Sequence, residues 1–344
     1  MKKFASALAA AAALGAAANA QAVTFQIDDQ TEFTVYGNVQ IAYSQVETDT
    51  GTEVEGVSDV FDNGTTIGVA GEHQLNNGLT AFFKIEEDSF DAVDSGSVNE
   101  TKTDEAFVGV KGDFGSVQFG RNDSLYDDTI GDYWDYMEVF TPTSPGQENT
   151  ERGLQYYSPD FGGFSFGLEA QINGDNDEAL NGVTADAEDV NGDTASSVSL
   201  AAAATYSAGN LVVEAAVDQR GNALLGGNNY ADNPIYGIAV GYTLGQVGLT
   251  AGYQIDDRDE DEGGSIDVAS VGARFNYGAG DLYGVYQIVN FDEEQADGED
   301  SYNEFALGAN YGLSDNMYVY VEYVALDRQD DLGNAISTGV FYGF

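Results

Sequence analysis

The sequence predicts an all-β fold: a closed, transmembrane antiparallel β-barrel of 16 strands with short turns at one end and long loops at the other. Three observations predict it. From Thr34 onward, stretches of roughly ten residues alternate apolar and polar side chains, the period-two signature of a strand. Tight turns alternate with long connections, the rhythm of short periplasmic turns and long extracellular loops. Tyrosines gather near the ends of the alternating stretches, where amphipathic rings meet lipid headgroups. Alternation alone also suits a soluble sandwich; the three features together favour the membrane barrel.

The chain opens with a leader. Lys2 and Lys3 precede a short apolar run from Phe4 to Ala18, and Ala18-Asn19-Ala20 and Ala20-Gln21-Ala22 both offer small-x-small cleavage sites. Residues 1–20 are expected to be a cleaved signal peptide and residues 21–344 a single barrel domain. After residue 22 no apolar run reaches the ~20 residues of a membrane helix. The strand segments read as 33–44, 64–74, 78–88, 103–111, 115–121, 152–158, 163–171, 196–206, 210–219, 235–243, 246–255, 266–277, 280–290, 301–311, 316–326 and 335–344. In the first, Val35, Gly37, Val39, Ile41 and Tyr43 face one way and Tyr36, Asn38, Gln40 and Ala42 the other. Short turns include Leu75-Asn76-Asn77-Gly78, Gly112-Asp113-Phe114-Gly115 and Leu244-Gly245-Gln246. Long connections are expected at 46–63, 88–102, 122–151, 172–195, 221–233, 255–265, 291–300 and 327–334. Tyr206, Tyr242, Tyr253, Tyr277, Tyr311 and Tyr323 supply the girdles.

Charge narrows the partners. Without the leader, 9 basic residues stand against 59 acidic ones, a formal charge of −50. Nucleic acid is excluded, because it needs Lys and Arg to neutralise phosphates. Such an excess suits a saline habitat, where counter-ions screen self-repulsion. The melting temperature is expected to rise between 0.1 M and 1 M salt, as the Debye length falls from about 10 Å to about 3 Å. A thermal melt that stays level or falls would contradict this.

Few residues suggest chemistry. No cysteine is present, and His73 is the one histidine, beside Glu72 with no companion for a metal set, so it reads as structural. Neighbouring acids such as Glu86-Glu87-Asp88 are too common here to mark a catalytic pair. The run from Asp256 to Gly264 could bind calcium weakly through hard oxygen ligands. It lacks the EF-hand pattern, and a solvated, screened loop is the favoured reading; the same holds for Asp292-Glu293-Glu294 and for Asp175 to Asp193. An enzyme is not expected, and no cofactor is implied.

The whole chain resembles the Gram-negative general diffusion porins, sixteen-stranded and usually trimeric. The resemblance rests on the leader followed by Phe33-Thr34-Val35-Tyr36-Gly37, and on Phe107-Val108-Gly109-Val110-Lys111-Gly112-Asp113-Phe114-Gly115. It rests also on Val117-Gln118-Phe119-Gly120-Arg121, Tyr157-Ser158-Pro159-Asp160-Phe161-Gly162-Gly163-Phe164 and the terminal Phe344. It implies a water-filled outer-membrane channel for ions and small hydrophilic solutes, a homotrimer in outer-membrane lipid, and Phe344 as the signal read by the barrel-assembly machinery. It also implies that the loop 122–151 folds into the lumen and constricts it, carrying Asp123, Asp127, Asp128, Asp132, Asp135 and Glu138. Lys84, Arg121, Arg152 and Arg274 are the candidates for a basic wall facing those acids. The parity of Lys84 supports a lumenal place; that of Arg121 and Arg152, at strand ends, stays open. So thin a basic wall departs from the family pattern and favours cations. Trp134 and Tyr136 could anchor the loop to the wall, or form a surface aromatic patch. A substrate-specific channel, for a sugar or an amino acid, and a largely structural surface barrel are the competing functions.

Overall fold

A computed structural model of the chain describes residues 22–49, 54–88, 92–93, 103–173, 197–219, 234–257, 264–292, 300–327 and 332–344. The expected leader and most of the expected long loops lie outside the described residues; of the acidic runs weighed for calcium, Asp256 is a buried residue that ends its strand and Asp257, Gly264 and Asp292 are described, while the rest lie outside.

The strands are β1 (Val23–Asp28), β2 (Thr31–Asp49), β3 (Val54–Asp62), β4 (Thr66–Gln74), β5 (Thr80–Glu87), β6 (Thr103–Gly112), β7 (Gly115–Asp123), β8 (Asn149–Tyr157), β9 (Phe164–Asn173) and β10 (Ser197–Ala208). They continue as β11 (Leu211–Asp218), β12 (Ile235–Leu244), β13 (Val247–Asp256), β14 (Ile266–Asn276), β15 (Asp281–Phe291), β16 (Ser301–Ser314), β17 (Met317–Asp327) and β18 (Leu332–Gly343). Each pairs antiparallel with its chain neighbour from β4 to β18, and β18 returns to β2, so the sheet closes as a 16-strand barrel. At the seam, Gly37 and Phe344 exchange both backbone hydrogen bonds, at 3.0 and 2.9 Å. Closure gives each of the sixteen wall strands a partner on both sides, the condition for a sheet in hydrocarbon.

Burial is inverted relative to a soluble protein. Val108, Phe119, Leu154, Leu168, Leu200, Ile238, Leu249, Val271, Leu307 and Val321 are exposed on the outer face. The inner face buries Gln118, Gln155, Glu169, Glu214, Gln254, Gln287, Glu304 and Glu322. Apolar surface outward and polar groups inward is what a lipid-facing wall and a wet lumen require. The turns are tight: in β10–β11 and β12–β13 only Gly209-Asn210 and Gly245-Gln246 lie between paired strands, with the glycines at φ 62° and 61°. Such left-handed conformations favour glycine.

Two strands lie outside the expected sixteen. β3 falls in what the sequence suggested was loop 46–63. It pairs with the upper part of β2, Ile41 opposite Asp62, while β4 pairs with the lower part, Asn38 opposite Thr66. Together β3 and β4 make one wall strand bent at residues 63–65, where Asp62 accepts the Gly64 and Thr65 backbone N–H groups at 3.1 and 2.8 Å. β1 folds back on the start of β2, Phe25 opposite Phe33 with rings stacked at 4.9 Å. β18 leaves β2 at Asn38, so β1 fills the edge that the stagger of a closed barrel leaves overhanging.

Candidate constriction site

The connection from β7 to β8 turns into the barrel. The strands reach further than expected, so Asp123 is the last residue of β7 rather than a loop residue. Ser124 donates its backbone N–H to the Glu148 carbonyl at 2.7 Å, closing the neck of the loop. Its hydroxyl accepts from Asp127 N–H at 3.4 Å, capping α1 (Leu125–Thr129). The outward path crosses β9 to β14. Leu125 N–H donates to Glu169 at 3.0 Å, the Tyr126 hydroxyl to Gln254 at 3.0 Å, and the Tyr136 and Thr250 hydroxyls meet at 2.9 Å. At the tip, the backbone N–H groups of Glu138 and Val139 donate to the two oxygens of Glu322, at 2.6 and 3.1 Å. On the return, Thr143 gives its N–H and hydroxyl to Glu304 at 2.9 and 2.8 Å, and the Ser144 hydroxyl reaches Gln254 at 3.1 Å. The loop therefore lies along β9 to β17, its tip also held by the Asn63 amide at the β3–β4 bend, which donates to the Glu138 carbonyl at 2.6 Å, and leaves its passage along the rest of β18, β2 and β4 to β7.

Glycines shape the wall beneath it. A Cβ at Gly237 would stand 2.7 Å from the Tyr126 hydroxyl and 2.8 Å from Ile130; one at Gly252 would stand 2.5 Å from Trp134, and one at Gly272 2.5 Å from Tyr136. Each is a strand-interior glycine where another part of the chain approaches the backbone. Trp134 is 1% exposed and Tyr136 is buried. Gly252→Val should push Trp134 out of its seat and cost about 1–3 kcal/mol of overpacking. Trp134 is the one tryptophan, so its emission should shift to the red and the melting temperature should fall; unchanged emission would refute the seating.

The acids divide by orientation. Asp132 and Asp135 are exposed, between and beside the seated rings; Asp127 and Asp128 are half-buried on α1. Burial, then the charges of Asp123, Asp132, Asp127 and Glu169, push the Asp128 carboxyl well above the usual carboxylate range. Glu138 turns to the wall, its carboxylate accepting from the Tyr318 hydroxyl at 2.9 Å.

The bases are matched closely. Lys84 bonds Glu105, lies 3.5 Å from Glu86 and sits 6.0 Å from the Tyr36 ring centre. Arg121 donates to the Asp104 carbonyl at 2.8 Å and to Asn149 at 2.5 Å. Arg274 pairs with Asp281 at 2.9 Å near the turn end of β14, over the Tyr283 ring. Arg152 is exposed at a bulge, with φ 53°. Lys111, not among the sequence candidates, pairs with Glu72 at 2.5 Å. With a carboxylate beside each of Lys84, Lys111 and Arg274, these bases leave little net positive charge. Exposed His73 meets the Thr31 hydroxyl at 2.9 Å, and among the described residues no group of three or more His, Cys, Asp or Glu could hold a metal.

Sequence reading missed Glu169, Glu304 and Glu322, the wall carboxylates that receive the loop. Their inward parity was legible, since Glu169 alternates with Leu168 and Glu304 with Phe305. Their partners were not, lying 44, 161 and 184 residues away in the Leu125, Thr143 and Glu138 bonds. The strand-interior glycines were a second unused signal.

Comparison with known proteins gives the same architecture. Residues 5–331 match the family described as Gram-negative porin. A monosaccharide porin of a Halomonas species is 35% identical over 379 aligned positions, spanning all of both chains. The major outer membrane protein of Halomonas elongata matches with the same identity and coverage. Among solved structures, OmpF of Salmonella typhi in complex with daunomycin has a TM-score of 0.70 at 22% identity, covering 94% of this chain and 100% of its own. The anion-selective porin of Comamonas acidovorans scores 0.69 at 17% identity, covering 92% and 100%. At those identities the likeness is one of fold.

Proposed function

The chain belongs to the Gram-negative porin family, an outer-membrane channel for passive diffusion that carries out no catalytic step, and from that premise we propose that its pore favours cations. The observation that carries this reading is the combination of exposed Asp132 and Asp135 on the inward loop with a facing wall on which Lys84 and Lys111 are each engaged by carboxylates. Charges lining a narrow aqueous passage bounded by low-dielectric walls act where the permeating ion cannot avoid them. The reversal potential of the purified protein in a planar bilayer under a salt gradient tests it: the sign should be that of cation preference.

Neutral sugars are a second proposed cargo, favoured by the full-length relative named for monosaccharides. The acidic surface and the Halomonas relatives fit an outer membrane in a saline habitat. The leader at 1–20 is a proposal of the residue pattern, and the assembly role of Phe344 and a homotrimer are proposals of the family resemblance. Three barrels could bury exposed outer residues such as Val321 and Ile336 against one another. Native mass measurement in mild detergent should give three chains; a monomer throughout would contradict it.

A further inference from the structure

Rings on the open side of the lumen differ from those seated behind the loop. Tyr318 and Phe341 are cross-strand partners on β17 and β18, stacked with centroids 4.8 Å apart and planes 11° from parallel. Both stay half-buried, whereas Tyr126 and Trp134 are fully enclosed. Their inward parity is fixed by buried Tyr320 and Glu322 on the same strand. Phe341 pairs across the seam with Gln40 of β2, whose amide donates to Asn38 at 3.1 Å and to the Gly64 carbonyl at 3.0 Å; the Asn38 amide donates to Thr66 at 2.7 Å. The Glu138 carboxylate at the loop tip closes the other side through its bond from Tyr318. Two stacked rings thus stand beside the two neutral amides of Gln40 and Asn38, where the loop tip at Glu138 meets the open wall.

We propose that Tyr318, Phe341, Gln40 and Asn38 form a weak subsite for a neutral pyranose. A pyranose presents a flat face of C–H bonds, which suits an aromatic ring, and a rim of hydroxyls, which suits amide and carboxylate groups. A neutral solute does not meet the repulsion that the acidic lumen imposes on anions. Weak attachment is what a channel needs, since a solute held tightly would not leave. This rests on the diffusion-channel reading and deepens its sugar cargo.

The test compares D-glucose with D-sorbitol, which has nearly the same size and hydroxyls but no ring, in swelling of liposomes carrying the full-length protein. Wild type should pass glucose faster than sorbitol, with a glucose rate that saturates. Phe341→Leu keeps an apolar side chain and removes the ring; it should lower the glucose-to-sorbitol ratio by about threefold, the scale of one aromatic contact, and Phe341→Tyr should restore it. Gln40→Leu, on the neighbouring strand, should lower the ratio by a second route. A Phe341→Leu pore that conducts potassium chloride and keeps the wild-type ratio overturns the subsite. So does a wild-type protein that conducts salt yet shows no preference or a strictly linear glucose rate, an outcome that needs no variant to fold. Absence of any salt conductance in wild type would instead sink the channel reading itself.

Discussion

Glu304→Gln combined with Glu322→Gln should yield a barrel that inserts and conducts, with a larger and noisier single-channel current than wild type. Each carboxylate now receives two donors from the loop: Thr143 N–H and hydroxyl on Glu304, Glu138 and Val139 N–H on Glu322. An amide of the same shape keeps one acceptor oxygen and turns an NH₂ toward a loop donor. Hydrogen bonds to a charged group contribute roughly 1.5–3 kcal/mol each, so the pair of changes should weaken the loop's hold by several kcal/mol. The aromatic seats over Gly237, Gly252 and Gly272 would still hold the outward path, while the tip and return path would be released. We expect conductance to rise by up to about twofold, with open-state fluctuation from a mobile tip. Single-channel recording at high salt checks this. Wild-type conductance and noise in the double variant would mean that the rings, with the remaining bonds of Tyr318 and Asn63 to Glu138, fix the loop without these two carboxylates.

The barrel was legible because a wall between lipid and water imposes a strict alternation that no packing partner can override. β12 is a clear case: Ile235, Gly237, Ala239 and Gly241 are buried, and Tyr236, Ile238, Val240 and Tyr242 are exposed. β3 was not legible for the complementary reason. Val54, Val57 and Val60 recur at intervals of three, and residues 56–60 are all exposed, so neither face demanded alternation. β1 does alternate, with Val23, Phe25 and Ile27, but it pairs with the start of β2, a strand that the sequence reading began at Phe33 rather than Thr31.

The constriction was legible only as a run of acids between two strands. Which acids meet water depends on where the rings sit, and the rings sit where glycines on β12, β13 and β14 leave room more than a hundred residues along the chain. Hence Asp132 and Asp135 separate from Asp128, whose carboxyl is crowded by burial and like charge, and from Glu138, which serves as an acceptor for Tyr318. The wall bases followed the same logic. Lys84 was placed by parity, but its bond to Glu105 needs the neighbouring strand β6.

The reversal potential under a roughly tenfold potassium chloride gradient, compared between wild type and two paired variants, bears most directly on how this pore chooses ions. Wild type should prefer cations. Asp132→Asn with Asp135→Asn should move the potential well toward zero in a pore that still conducts, because these carboxylates are exposed on the loop. Asp127→Asn with Asp128→Asn should move it less, because these two are less exposed and burial and neighbouring acids push the Asp128 carboxyl well above the usual carboxylate range. A wild-type pore that prefers anions, or a conducting Asp132→Asn/Asp135→Asn pore with the wild-type potential, would show that the loop acids do not set the selectivity.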